Sequence, residues 1–312
     1  MPFPRIMIIA GPTAVGKTAL ALELAEDLGG EIISADSMQV YRHMNIGTAK
    51  PSLAERSRIQ HHLLDVVDPD ESFNAARFAA TAASVIHALH AKRTPILIVG
   101  GTGLYLRALL GGLFPGPAAD EDLRRYYREQ QNIHGPGYLH RELARIDDLA
   151  ARQLAPGDTV RIIRALEVMS LTGRSIVASQ REHHFRDHHY DCLKIGLKMD
   201  RPSLYKRIED RTQGMVNAGL VAEVRRLLAM GYGAGIKPMQ SLGYKHVLSF
   251  LGGRIDLDEA IRLTARDTRR YAKRQETWFR ADGEMIWYSP NESKEIRDRA
   301  RRFLAGGNLE TA

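Results

Sequence analysis

The sequence predicts an α/β fold: a parallel sheet core interrupted by a small all-helical insertion and followed by a helical C-terminal region. Three observations predict it. Ile6-Met7-Ile8-Ile9-Ala10 is an unbroken apolar run of strand length, as expected of a strand covered on both faces in a parallel sheet. It leads into Gly11-Pro12-Thr13-Ala14-Val15-Gly16-Lys17-Thr18, which fits the G-x-x-x-x-G-K-[ST] pattern, and the segment from Thr18 to Ala25 has helical periodicity. Strand-like and helix-like segments then alternate through the first 113 residues. Strand, glycine-rich loop and helix in that order predict a P-loop NTPase-like core. Its backbone N–H groups would face an anion, Lys17 would add charge, and Thr18 would offer a hydroxyl to Mg²⁺.

The remaining core elements follow in order. Glu31–Asp36 reads as a second strand ending on a carboxylate, and His62–Val67 as a third. Asn74 is placed to cap an Ala-rich helix reaching about Lys92. Thr94–Gly101 is a fully apolar fourth strand that delivers Gly100-Gly101-Thr102-Gly103 to the sheet edge. Ligands of open α/β sheets bind beyond the carboxyl ends of the strands, so the P-loop, Asp36 and Thr102 should converge on one cleft. Pro115-Gly116-Pro117 ends the alternation, and a charged helical stretch follows to about His189. Asp191–Met199 resumes the core, and Met285–Tyr288 is the last strand. The domains are therefore read as 1–115 with 191–312 for the α/β core and 116–190 for the helical insertion.

Bulk properties narrow the class. The chain has 312 residues, a formal charge of +7 and one cysteine, Cys192, which excludes an internal disulfide and a Cys-rich zinc site. No stretch of eighteen uncharged apolar residues suggests a membrane span, and the first strand begins too early for a signal peptide. A cytoplasmic protein acting as a monomer is the expectation, and the positive charge favours a polyanionic partner.

Several side chains could carry chemistry. Asp36, just past a strand and beside the phosphate loop, could accept a proton, hold Mg²⁺ through water, or cap the next helix. Thr102 lies in a glycine-rich strand-to-helix turn suited to close ligand approach or to an N-cap. The strand Ile96–Val99 ends without the acid that many P-loop ATPases use for Mg²⁺, which argues against a motor-type ATPase. Lys50 is expected to be a solvated surface lysine, His61 and His62 point to opposite faces, and Arg181–His189 is expected to be a solvated loop. Cys192 is expected in the core. Arg262, Arg266, Arg269, Lys273 and Arg280 recur at steps of four, three, four and seven, hence on one helical face. With few offsetting acids in view and Tyr271, Trp278 and Phe279 interleaved, this face is read as a nucleic-acid stripe. Arg124, Arg161 and Arg164 in the insertion are candidates for an opposing jaw.

Together these motifs resemble the bacterial tRNA dimethylallyltransferases, also called tRNA isopentenyltransferases. The resemblance is carried by Gly11–Thr18, Asp36–Tyr41, Gly47–Pro51, His61–Asp65, Gly100–Tyr105, Arg161–Val168, Gly219–Val224, Leu242–Lys245 and Thr268–Arg280, in family order. Two positions depart from it. Val15 stands where serine is expected, and His246 where glutamate is frequent. The resemblance implies transfer of a dimethylallyl group from dimethylallyl diphosphate to N6 of adenosine 37 in the anticodon stem-loop of tRNA, with Mg²⁺ as cofactor. It implies that Asp36 takes the N6 proton, Thr102 positions the acceptor, and Lys17 with Arg211 holds the diphosphate. It also implies metal contacts at Thr18 and Asp36. RNA contacts would come from Asp36, Ser37, Met38, Gln39 and Thr102, from Arg124, from Val160, Arg161, Ile162, Ile163 and Arg164, and from Lys273, Arg274, Gln275, Trp278 and Arg280. The competing readings are a small-molecule P-loop kinase, an adenylate isopentenyltransferase acting on free nucleotide, and an RNA-binding protein with a relic P-loop.

Overall fold

The computed structural model describes residues 3–183 and 189–306. Two compact units divide the chain: Met1–Leu109 with His189–Ala312, and Leu110–His188.

In the first unit, β1 (Arg5–Ala10) leads through the phosphate loop into α1 (Lys17–Leu28), which Gly29 ends in the left-handed conformation. β2 (Glu31–Ser34), α2 (Leu53–Arg58), β3 (His61–His62), α3 (Ala75–Ala91), β4 (Ile96–Gly100) and α4 (Gly103–Gly111) follow. Asn74 caps α3 by accepting from the Arg77 N–H. The second unit holds α5 (Glu121–His134), α6 (Tyr138–Ile146), α7 (Asp148–Gln153), α8 (Thr159–Thr172) and α9 (Ile176–His183). Its own core joins Leu139, Leu143, Ala150, Ile162, Ile163 and Leu166. The chain re-enters the first unit at β5 (Asp191–Leu197). It continues through α10 (Arg201–Asn217), α11 (Leu220–Ala229), α12 (Tyr244–Leu251), α13 (Leu257–Arg280), β6 (Ile286–Tyr288) and α14 (Ser293–Leu304).

Among the described residues the sheet has six strands in the order β3-β2-β4-β1-β5-β6, every pairing parallel. β1 lies between β4 and β5, with Ile8 opposite both Ile98 and Lys194. Ile6, Met7, Ile8 and Ile9 are all buried, which is why this strand is apolar throughout rather than alternating. Met7 and Ile9 face Leu20, Leu24, Ile195, Ile208, Ala272 and Phe303, so α1, α10, α13 and α14 share one core with the sheet. Burying those side chains stabilises the fold by about 1.5–3 kcal/mol each before conformational entropy is counted.

Two expectations change. The strand expected over His62–Val67 is only His61–His62, followed by a single bridge between Tyr41 and Val67. Leu63 and Asp65 have φ of 61° and 55°, so the chain turns away from the sheet and carries the Asp65 carboxylate to Lys50 and Arg56. Lys50, expected in solvent, is buried. Its Nζ donates to Tyr41 O at 2.6 Å, Asn45 Oδ1 at 3.1 Å and Asp65 Oδ1 at 2.7 Å. Burial pulls its pKa below the usual lysine value, against the opposing pull of Asp65. Cys192 is half-buried in β5, and burial pushes its thiol up to about 12, so it is inert at neutral pH. Residues 184–188 of the His-rich stretch lie outside the described residues. Among the described residues no helix is long and apolar enough to cross a membrane.

Candidate active site

The phosphate loop is built on backbone that only small residues tolerate. Gly11 (φ 141°) passes so close to β5 that a Cβ there would lie 2.6 Å from Leu197 O. Gly16 (φ 115°) is the left-handed residue from which α1 starts. Apart from the Thr13 N–H, which donates to Gln275, and the Val15 N–H, which donates to Pro12 O, the loop's amides and the α1 N-terminus are left for the cleft at the carboxyl end of β1. Lys17 Nζ folds back onto Gly11 O (3.0 Å) and Pro12 O (2.7 Å). Burial, reinforced by the nearby Arg211 charge and opposed by Asp36, lowers its pKa to about 7. Arg211 donates to Thr13 Oγ1 at 3.1 Å, and Arg207, one turn earlier on α10, donates to Val15 O at 3.2 Å. Val15 is itself buried among apolar side chains, so its isopropyl group packs where a serine hydroxyl would need a partner.

Asp36 follows β2. Its Oδ1 accepts from the Met38 N–H (2.8 Å) and the Gln39 N–H (3.3 Å), so the carboxylate caps a turn over residues 37–40 rather than the expected helix. Both bonds fall on one oxygen, which leaves Oδ2 for other work. Thr102 Oγ1 accepts from the Ser37 N–H at 3.0 Å, and the Thr102 N–H donates to Ala35 O at 3.2 Å. Thr102 O in turn accepts from the Tyr105 and Leu106 N–H groups that begin α4. Gly100 allows this closeness, since a Cβ there would lie 2.1 Å from Ala35 O.

Two cavities meet at these residues. One, of ≈ 120 Å³, is lined by Thr13, Lys17, Thr18, Asp36, Gly100 and Arg211 among others. The second, of ≈ 310 Å³, shares Thr13, Asp36 and Arg211 and adds the apolar Met38, Ile208, Met215 and Leu242. A cationic anion cradle and an apolar chamber thus share one carboxylate. Thr18 and Asp36 place two hard oxygen donors on the smaller cavity, a donor set that fits Mg²⁺, which keeps most of its waters.

A family model described as IPP transferase matches residues 39–282. The chain belongs to the IPP transferase family. Among its relatives, tRNA dimethylallyltransferase 2 of Syntrophus aciditrophicus is 56% identical over 97% of each chain. The tRNA dimethylallyltransferase of Geobacter metallireducens is 52% identical over 91% of this chain and 92% of its own. Among solved structures, the tRNA isopentenylpyrophosphate transferase of Bacillus halodurans superposes with a TM-score of 0.72 at 39% identity, covering 97% of both chains. A eukaryotic dimethylallyltransferase acting on tRNA gives 0.80 at 26% identity, covering 98% of this chain and 81% of that one.

In this IPP transferase several residues expected at RNA are committed elsewhere. Gln39 accepts from Ser34 Oγ at one end of its amide and donates to Thr48 O and Ala49 O at the other. Gln275 is buried, accepting from the Thr13 N–H and donating to Gly101 O. Ile162 and Ile163 lie in the core of the helical unit, because their face of α8 packs on its neighbours, while Val160 is 80% exposed. Arg124 and Arg164 are tied to the fully buried Glu167, whereas Arg161 is exposed with Asp158 at 3.5 Å.

The basic face of α13 also has more acid partners than expected. Arg262 pairs with Glu259, Arg266 with Asp267, Arg269 with Glu209 and Arg280 with Glu276. Phe279 is core, and the half-buried Trp278 has one ring face covered by the Arg107 guanidinium at 4.3 Å. Lys273 and Arg274 are exposed.

Sequence reasoning missed Arg207 and Glu223. Arg207 was legible only as the residue four before Arg211. Glu223, 1% exposed, accepts from the Asn45, Ile46 and Gly47 N–H groups and from the Tyr244 hydroxyl at 2.6 Å. It holds the 45–50 loop whose carbonyls fasten Gln39. Its only sequence signal was that the Gly47, Gly219 and Leu242 segments occur together in family order.

Proposed function

We propose that this chain transfers a dimethylallyl group from dimethylallyl diphosphate to N6 of adenosine 37 in the anticodon loop of tRNA, releasing diphosphate. The observation that carries this reading is the shared boundary of the two cavities. Asp36 stands between a cationic diphosphate cradle and an apolar chamber, and it is tied through Ser37 to Thr102. The named relatives and their family are in keeping with it.

The chemistry is one bond for another. The N6 lone pair forms a C–N bond to the allylic carbon while the C–O bond breaks, and its electron pair leaves on diphosphate. The exocyclic amine is a weak nucleophile, so most of the assistance goes to the leaving group. Lys17, the loop amides and Arg211 surround the departing anion, stabilising charge that grows in the transition state. Once near an anion, Lys17 is held as ammonium, its burial cost offset by the charge it faces. Mg²⁺, held by Thr18 and through water by Asp36, would add positive charge at the same oxygens. As the C–N bond forms, the N6 proton becomes acidic, and Asp36 Oδ2 takes it while Oδ1 keeps its two backbone bonds. The apolar chamber suits a hydrocarbon chain and excludes water, which would otherwise intercept the allylic carbon. Adenosine 37 leaves its stack to enter, a cost of a few kcal/mol that is smaller in a loop than in a duplex. Residues 116–190 are proposed to act as an RNA-contacting domain through Val160 and Arg161, and α13 through Lys273 and Arg274.

The test is incubation with dimethylallyl diphosphate, Mg²⁺ and unmodified tRNA, followed by mass analysis of the nucleosides. Asp36→Ala should lower transfer by about 10²–10⁴-fold while anticodon stem-loop binding stays within a few-fold. Wild-type turnover would remove Asp36 from the proton-accepting role. Lys273→Ala should weaken stem-loop binding and reduce the slope of log K against log salt by about 1. Because Arg280 is paired with Glu276, Arg280→Ala should change that slope less.

A further inference from the structure

We propose that Gln275 is a positioning residue of the transfer reaction, fastening the phosphate loop to the Gly101–Thr102 turn rather than contacting RNA. The proposal rests on the function proposed above. Gln275 is 6% exposed and lies on the buried face of α13 with Ala272 and Phe279. Its Oε1 accepts from the Thr13 N–H at 2.8 Å, and its Nε2 donates to Gly101 O at 2.9 Å. One amide therefore bridges the two loops that deliver the leaving-group cradle and the acceptor-side threonine.

The bridge is close-fitting. A Cβ on Gly101 would lie 2.0 Å from Nε2, so the turn approaches as near as a glycine allows. The Thr13 N–H is turned to Gln275 and is one loop amide that does not face the cleft, while the Thr13 hydroxyl takes Arg211. Beyond Gly101, Thr102 Oγ1 accepts from the Ser37 N–H beside Asp36, and Tyr271, one turn before Gln275, interacts with both Thr102 and Gln275. A continuous path thus runs from Thr13 through Gln275, Gly101, Thr102 and Ser37 to Asp36.

The residue type is dictated by this double duty. One end must accept from a backbone N–H and the other must donate to a backbone carbonyl, at a fixed separation and away from water. Glutamate would place an oxygen against Gly101 O, and lysine or arginine could not accept. A misplacement of about 1 Å between leaving group and acceptor costs on the order of 10²-fold in rate. The neighbours on the same helix differ: Lys273 and Arg274 are exposed and carry the charge that RNA would meet.

The experiment compares wild type, Gln275→Glu, Gln275→Met and Lys273→Ala. Three readouts are taken: affinity for inorganic diphosphate with Mg²⁺ by calorimetry, affinity and salt slope for an anticodon stem-loop RNA, and kcat and KM for transfer. Gln275→Met should lower kcat by about 10- to 100-fold at saturating substrates, with stem-loop affinity within about twofold and its salt slope unchanged. Gln275→Glu keeps the Thr13 bond and loses the Gly101 bond. It should keep diphosphate affinity within about threefold while kcat falls on the order of tenfold or more. Lys273→Ala should instead weaken stem-loop affinity and lower its salt slope by about 1, raising KM for RNA, with diphosphate affinity unaffected. If Gln275→Met does not fold, Gln275→Glu decides on the same readouts. Stem-loop affinity falling with kcat preserved would overturn the proposal, as would wild-type kcat in both glutamine variants. A wild-type protein that binds no diphosphate would instead overturn the function on which the proposal rests.

Discussion

Two buried glutamates, one in each unit, do opposite things with the same carboxylate. Glu223 of the sheet unit gathers neutral donors: three consecutive backbone N–H groups from Asn45, Ile46 and Gly47, and the Tyr244 hydroxyl. Glu167 of the helical unit gathers cations, Arg124 and Arg164, with the Asp120 N–H as its one neutral donor. Burial would raise the Glu167 pKa, but the hydrogen bonds from Arg124 and Arg164 outweigh it and hold the carboxyl below its usual range. Both residues are nearly inaccessible, but their partners differ. Tyr244 is fully buried, whereas Arg124 and Arg164 keep 26% and 28% of their side-chain surface. The first carboxylate shapes a stretch of backbone and holds a buried hydroxyl. The second neutralises side chains that water or phosphate could satisfy instead.

That contrast sets the order of expected effects. Glu223→Ala strands the buried Tyr244 hydroxyl and frees three backbone donors at once, and should cost about 3 kcal/mol or more in denaturant unfolding, with transfer lost as the 45–50 loop releases Gln39. A loss under about 1 kcal/mol would mean that the loop finds other partners. Glu167→Ala should cost only about 1–2 kcal/mol, because the two arginines rehydrate. Freed of their acid, Arg124 and Arg164 should leave stem-loop affinity unchanged or strengthened, and a clear weakening would show that Glu167 orders them for RNA.

Asp267 on α13 sharpens the comparison from the middle. It is nearly buried like the glutamates, but its partners are Lys245, Arg266, Arg270 and the buried His246. Burial lowers the His246 pKa below its unfolded value, against the pull of Asp267 and with the help of Lys245 and Arg266. The unfolded chain therefore binds the proton more readily. Stability is full above about pH 6.5 and declines as pH falls through the lower folded value. His246→Gln should flatten part of that decline in thermal midpoints measured between about pH 7 and 5. An identical pH profile would assign the decline to other groups.

Much of this was legible before any tertiary contact was known, and the reason is locality. Apolar run length, the spacing of glycines before Lys17 and the cap at Asn74 are set by residues within one turn or one strand of each other. They placed β1, the phosphate loop, α3, β4 and β5 where the structure has them. The third strand shortened because Asp65 turns toward Lys50, fifteen positions away, an ion pair that periodicity cannot register.

By itself, then, the sequence determined the succession of core strands along the chain, the phosphate loop and the family, since each rests on local period and on motifs in fixed order. Tertiary structure decided which polar side chains are spent inside the protein and which remain for substrate. A linear reading puts Lys50 in solvent and Gln39 and Gln275 at RNA, and gives Glu223 no role of its own. Gln275 meets Thr13 across 262 positions, and only the packing of α13 against the sheet makes that amide a brace rather than a contact for RNA. A side chain's chemistry is written in its type, but its use depends on which groups have lost access to water, and that is a property of the fold.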